Sequence, residues 1–148
     1  MQKTRISDCY GLNLKSFIDH KGRLDVIEDI KDLNNQTLNF KRCYILRDFN
    51  QEQIRGVHAH KNLYQVFLTF HGSFNINLFD GFESNNITLK DGSGFLVVPG
   101  IWRELSCFAK NTIIVVMASD LYDVKDYIHC KNKFIDYKKN NYFNEAFF

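Results

Sequence analysis

Apolar and polar residues alternate with a period of two along much of this chain, the pattern of half-buried β-strands. Residues 73–78 show it most clearly, with Phe74, Ile76 and Leu78 on one side and Ser73, Asn75 and Asn77 on the other. Residues 40–49 repeat it and place Arg42, Tyr44 and Leu46 on one face. Further strands are predicted over 12–17, 24–27, 65–70, 86–89, 95–98, 102–108 and 112–118. Turn residues separate them: Asp19 to Gly22, His71 to Ser73, Asp80-Gly81, Asp91 to Gly94 and Pro99-Gly100. Residues 29–39 are polar and read as a loop, and 50–54 as a hydrophilic connection. Beyond Tyr122 the period changes, and 123–134 is predicted as a helix with Val124, Tyr127 and Ile128 on one face. Residues 136–148 form a tail, either loosely attached or docked through Phe143, Phe147 and Phe148.

Short strands at close spacing with Gly and Asn turns predict an all-β fold, a sandwich or jelly-roll barrel with a short C-terminal helical segment. A length of 148 residues sets the expectation of one domain, 1–148, with its core at about 10–135. Fourteen Phe and seven Tyr beside a single Pro fit strands packed through aromatic faces. The stripe Phe67, Phe70, Phe74 and Phe79 reads as core or dimer surface. A net charge of +2, with both signs mixed along the chain, gives no electrostatic case for nucleic-acid binding. No run is long enough for a membrane span, and the start lacks the apolar centre of a signal peptide, so the expected location is the cytoplasm. Cys9, Cys43, Cys107 and Cys130 are scattered with no C-x-x-C pair, which argues against structural zinc. They read as free thiols in packing roles, Cys43 and Cys107 above all.

The segment Arg55 to Gln65 carries the chemistry. Within a strand His58 and His60 share one face, and Val57 and Ala59 the other. Two imidazoles on one face make half of a metal site or a pair of proton-handling groups.

Gly56-x-His58-x-His60, then Gln65 and Gly72, resembles the first motif of the cupins, and Gly94 to Pro99-Gly100 the start of the second. A metal-binding cupin places a glutamate near Gln65 and a third histidine near Trp102-Arg103, and this sequence has neither. His20, His71 and His129 lie at turns or far along the chain. Two imidazoles alone under-coordinate a first-row metal, so no metal and no cofactor is expected. Arg42-Cys43-Tyr44, Arg55 to Gln65, Pro99 to Trp102 and Ala118 to Tyr127 together resemble the dTDP-sugar 3,4-ketoisomerases, over about residues 10–135.

That resemblance implies an isomerase converting dTDP-4-keto-6-deoxyglucose into a 3-keto-6-deoxyhexose for 3-amino-3,6-dideoxy sugars of surface polysaccharide such as lipopolysaccharide O-antigen. His58 is expected as the base, with an imidazole's reference pKa of about 6.5 suiting proton transfer, and His60 as its partner or relay. Tyr44 is a candidate donor to the enediolate oxygen. Arg55 and Arg42 are candidates for the pyrophosphate. Gln65 is a candidate for a sugar hydroxyl or for bracing a histidine, and Trp102 for the pocket mouth. Lys21 and Arg103 stand where family members differ in C4 stereochemistry; Arg103 favours the gluco product, whereas Lys21 is unlike a tyrosine and nearer an arginine, so the two positions disagree, and the gluco product is favoured on balance. A homodimer with exchanged first strands is expected. The alternatives are a metal-dependent cupin enzyme and a non-catalytic nucleotide-sugar-binding module.

Overall fold

Antiparallel pairing, mostly between strands distant in the chain, builds two facing sheets, in a computed structural model that describes residues 4–146 and side chains as far as Tyr142. The strands in chain order are β1 Tyr10–Leu12, β2 Lys15–Asp19, β3 Gly22–Val26, β4 Arg42–Leu46, β5 Arg55–His60 and β6 Gln65–His71. They continue as β7 Ser73–Phe79, β8 Ser84–Lys90, β9 Gly94–Val97, β10 Trp102–Ser106, β11 Ile113–Ala118 and β12 Tyr127–Ile128, and helix α1 follows at Lys131–Ala146. One sheet has the order β1-β9-β6-β11-β4 and the other β12-β5-β10-β7-β8, while β2 and β3 form a separate hairpin. This is the all-β, cupin-like sandwich with a C-terminal helix.

The alternation seen in the sequence sets the core. Phe74, Ile76 and Leu78 of β7 meet Leu96 of β9 and Ile114 and Val116 of β11, all with no more than trace exposure. Register then sorts side chains into rows across the first sheet. Tyr44, Val116, Phe67 and Phe95 stand in one row, and Arg42, Ala118, Gln65 and Val97 in the next. The interior is therefore apolar at one end and polar at the other.

The expected strand over 12–17 is divided into β1, which edges the first sheet, and β2, which pairs with β3 outside it. The predicted helix over 123–134 is displaced. Asp123 to Asp126 instead form a single 3-10 turn, and Tyr127 and Ile128 pair with His60 and Ala59 of β5. The free edge of β5 recruits this segment, and Tyr and Ile suit a pleated surface better than their helical spacing suggested. The helix begins at Lys131 and occupies much of the predicted tail. It docks through a narrow stripe: Phe134 packs on Trp102, Ala59 and Ile128, with Tyr137 beside them. Four residues on from Phe134, Lys138 Nζ donates to the carbonyls of Thr4 at 2.8 Å and Gly100 at 3.0 Å. Phe143, Phe147 and Phe148 lie outside the residues whose side chains are described.

The cysteine expectation is reversed. Cys43 alternates outward between Arg42 and Tyr44, and Cys107 leaves β10 with φ of +54°, so both are exposed. Cys9 is the buried thiol, pushed up to about 12 by burial.

Candidate active site

A cavity of about 430 Å³ opens at the polar end of the sandwich, within the range of small-ligand sites. Arg42, Tyr44 and Leu46 of β4 and Gln65 and Phe67 of β6 form one wall; Gly56 and His58 of β5, Arg103 and Leu105 of β10, and Tyr127 of β12 form the other. Gly56 shapes this second wall. The β5–β10 register slips between Arg103 and Leu105, and Gly56 has φ of +63° there, a left-handed conformation that glycine adopts without penalty. The irregularity separates Arg55, at the exposed mouth, from the two histidines further in.

His58 lines the cavity, and His60 lies behind it. Their Nε2 atoms are 3.3 Å apart, and His60 Nδ1 is 2.8 Å from Asp126 Oδ2. The other Asp126 oxygen accepts the Asn62 backbone N–H at 2.7 Å, and the Lys61 N–H bonds to the Asp126 carbonyl at 2.9 Å. Tyr127 packs its ring on both imidazoles, with centroid separations of 4.8 Å from His58 and 4.3 Å from His60. Burial, reinforced by the Arg103 charge and then by His129, pulls His58 down to about 2. Burial and Arg103 also push His60 well below the ordinary imidazole value, while the Asp126 carboxylate draws a proton the other way. Both rings are neutral at physiological pH, the form in which an imidazole accepts a proton.

A second chain of hydrogen bonds runs from the His58 wall across to the opposite one. Arg103 is fully buried, which lowers its pKa to about 10 and leaves it charged at neutral pH. It donates to the His58 carbonyl at 3.1 Å and to Gln65 Oε1. A guanidinium only donates, so the Gln65 oxygen must face it and the Gln65 amide must face Tyr44. Gln65 Nε2 accordingly donates to Tyr44 Oη at 2.7 Å. The tyrosine hydroxyl, already accepting, keeps its own proton to donate toward the cavity. Burial raises the Tyr44 pKa despite the opposing Arg103 charge, so the phenol stays protonated.

Arg42 stacks over Tyr44 and Tyr122, with its guanidinium carbon 5.3 and 5.8 Å from the ring centroids. Its Nε is buried and finds no hydrogen-bond partner among the described residues, an unmet donor beside the cavity. The donor set does not suit a divalent ion. A charged guanidinium stands by the imidazoles, and among the described residues no three His, Cys, Asp or Glu side chains converge.

Of the residues singled out from the sequence, Arg42, Tyr44, Arg55, His58, Gln65 and Arg103 meet at this cavity. Trp102 does not. One residue before Arg103, it points to the opposite face of β10, where it is 2% exposed, packs against Phe134 and donates to Glu104 at 2.9 Å. Strand alternation makes Trp102 and Arg103 mutually exclusive as pocket residues. Lys21 sits on the exposed β2–β3 turn and does not line the cavity of its own chain. Gln65 has both amide ends engaged by protein groups, so it braces Tyr44 and Arg103 and not a histidine side chain. Asp126 and Tyr127 were missed as site residues. The Asp-Tyr-Ile run was visible, but reading it as helix hid its pairing with β5.

Such a sandwich, with imidazoles and arginines gathered at one end of its interior, defines a cupin-like enzyme. The chain belongs to the family described as "FdtA: WxcM-like, C-terminal", which matches residues 7–139. It is 38% identical over 127 residues, 85% of this chain and 89% of the other, to the TDP-4-oxo-6-deoxy-alpha-D-glucose-3,4-oxoisomerase of Aneurinibacillus thermoaerophilus. A 3,4-ketoisomerase from Helicobacter canadensis superposes with a TM-score of 0.82 at 32% identity, over 89% of this chain and 98% of that one. A histidine-to-asparagine variant of a Thermoanaerobacterium thermosaccharolyticum 3,4-ketoisomerase, in complex with TDP-4-keto-6-deoxyglucose, gives 0.83 at 30% identity, over 92% and 97%. The protein is thus an enzyme of the isomerase class, a sugar 3,4-ketoisomerase.

Proposed function

We propose that this protein converts dTDP-4-keto-6-deoxyglucose to dTDP-3-keto-6-deoxyglucose, with His58 as the base. The observation that carries the reading is a neutral imidazole at the cavity wall, backed by a second imidazole and faced by a tyrosine hydroxyl with a free proton. The C3–H bond breaks and its proton goes to His58. The electron pair becomes the C3=C4 double bond, and the C4 carbonyl opens to an enediolate whose oxygen is stabilised by Tyr44. O4 gains a proton, O3 loses one, and C4 takes a proton as the C3 carbonyl forms. No electron acceptor is consumed. Arg42, with its unmet Nε donor, and Arg55 at the mouth bind the pyrophosphate.

Arg103 supports the gluco configuration at C4. Lys21, remote from this cavity, would bear on a partner's site in a dimer that exchanges hairpins. Such a homodimer is supported by the hairpin surface, where Phe17, Ile18 and Leu24 are each at least 60% exposed, and by the apolar groove that Leu24 and Ile27 form with Leu68, Phe70, Val115 and Met117. The expected setting is the cytoplasm, ahead of an amino transfer to C3 in the supply of surface-polysaccharide sugars.

The test is incubation with dTDP-4-keto-6-deoxyglucose in heavy water, followed by NMR of the sugar. Deuterium entering at C4, with a new C3 carbonyl signal and a large H4-type coupling lost on labelling, is expected. Ligand that binds without any ring exchange would overturn the reading in favour of a binding module.

A further inference from the structure

We propose that Asp126 is a positioning residue for the reaction: it holds His60 with its proton on Nδ1, so that His60 Nε2 is the acceptor for the His58 Nε2 proton. This inference rests on His58 as the base. Its support is geometric. An ionised carboxylate only accepts, so the 2.8 Å contact with Asp126 Oδ2 requires a hydrogen on His60 Nδ1. In neutral His60 the Nε2 then carries the lone pair. The 3.3 Å contact between the two Nε2 atoms is consequently donated by His58, whose own lone pair rests on Nδ1.

The carboxylate has little freedom to do otherwise. Asn62 N–H holds its second oxygen at 2.7 Å, Lys61 N–H holds its backbone at 2.9 Å, and the next residue pairs with His60 itself. Asp126 is 12% exposed and His60 2%, so solvent offers no competing partner to the imidazole. The groups facing the pair are Arg103, Arg42 and Tyr127 from neighbouring strands and His129 just after β12. A positive charge formed on His58 stands near the Arg103 guanidinium. Arg103 and Arg42 oppose a charge on His60 as well, but passing the Nε2 proton there sets the charge directly against the Asp126 carboxylate. Beyond Asp126 lies a second cleft of about 270 Å³ lined also by Asn62, Ser119, Asp120 and Asp123, acidic and away from Arg103.

Asp126→Asn provides a sharp test, because one hydrogen bond decides how the amide must sit. The Asn62 N–H still needs an acceptor, so the amide oxygen stays there and the NH2 turns to His60 Nδ1. That forces the proton of His60 onto Nε2. We expect kcat to fall by about 10²–10⁴-fold with KM within about threefold, the range that a wrong imidazole tautomer and a lost acid–base group cover. Nitrogen-15 NMR of the substrate-free protein should show His60 protonated on Nδ1 in the wild type and on Nε2 in the variant. A kcat within about threefold of wild type, or a wild-type His60 protonated on Nε2, would overturn the proposal. Should the variant fail to fold, the wild-type spectrum alone decides. A wild-type protein without turnover would instead sink the function proposed above, since the tautomer is read without substrate.

Discussion

The two ends of the sandwich interior are built by the same strand alternation and serve opposite ends. At one, Phe74, Ile76, Leu78, Leu96 and Ile114 interdigitate with nothing between them but one another. At the other, Arg42, Tyr44, His58, Gln65 and Arg103 surround about 430 Å³ of open space. Apolar side chains gain by closing such a space; these polar ones are kept apart because most are tied to a protein partner that fixes their position. Arg103 holds Gln65 and Gln65 holds Tyr44, while Asp126 holds His60 and His60 meets His58. The pocket is thus a cavity whose walls are held in place by hydrogen bonds, next to a core held by close packing.

If the two ends divide labour in this way, substitutions should separate activity from stability. The largest effect is expected for His58→Asn: turnover falls by about 10³-fold or more while the circular dichroism spectrum is unchanged. Substantial activity in that variant would remove His58 as the base. Tyr44→Phe comes next, lowering kcat by about 10²-fold with little change in KM. Because it also strands the Gln65 amide, unfolding should show a loss of about 1–3 kcal/mol. At the packed end, Ile76→Ala should cost about 2–5 kcal/mol in denaturant unfolding and leave kcat per folded molecule alone. An Ile76→Ala protein of normal stability and damaged kcat would break the division. Arg55→Ala is the mildest, raising KM about tenfold, equivalent to about 1.4 kcal/mol, with kcat nearly intact.

Acid should sharpen the contrast further. His58 has a folded pKa of about 2 against an unfolded value near 6.5, so below pH 6.5 the unfolded chain binds the extra proton. Its contribution to stability is therefore full above that value and is lost as pH falls toward 2. Tm should drop on acidification by less in His58→Asn than in the wild type. The acid limb of kcat/KM, a property of the free enzyme, should lie well below pH 6.5.

The alternation of two was enough to read the sheet fold and to place Arg42, Tyr44 and Leu46 on one face, and His58 with His60 on another, because β4 is regular throughout and the irregularity of β5 at Gly56 precedes both histidines. What stayed hidden depended on partners distant in sequence. Trp102 and Arg103 were both assigned to the pocket, yet a strand can show only one of two neighbours to a given side. Residues 127–128 carry helical spacing and strand-forming side chains alike, and the open edge of β5 decided between them. Helix α1 was obscured by its polarity, since Phe134, Tyr137 and Lys138 make too narrow a stripe to register as an amphipathic face. The cysteines misled because an apolar neighbourhood in sequence says nothing about which side of the strand a thiol takes.

Lys138 fastens together three segments that the chain visits far apart: its ammonium clasps the carbonyls of Thr4, 134 residues earlier, and of Gly100. Peeling the helix away would strip that clasp and uncover Trp102 in one motion, so unravelling from either terminal segment must work against the other. The molecule is in this sense latched, and Lys138→Met, which preserves bulk but not charge, should open the latch to proteases while the distant cavity keeps its shape.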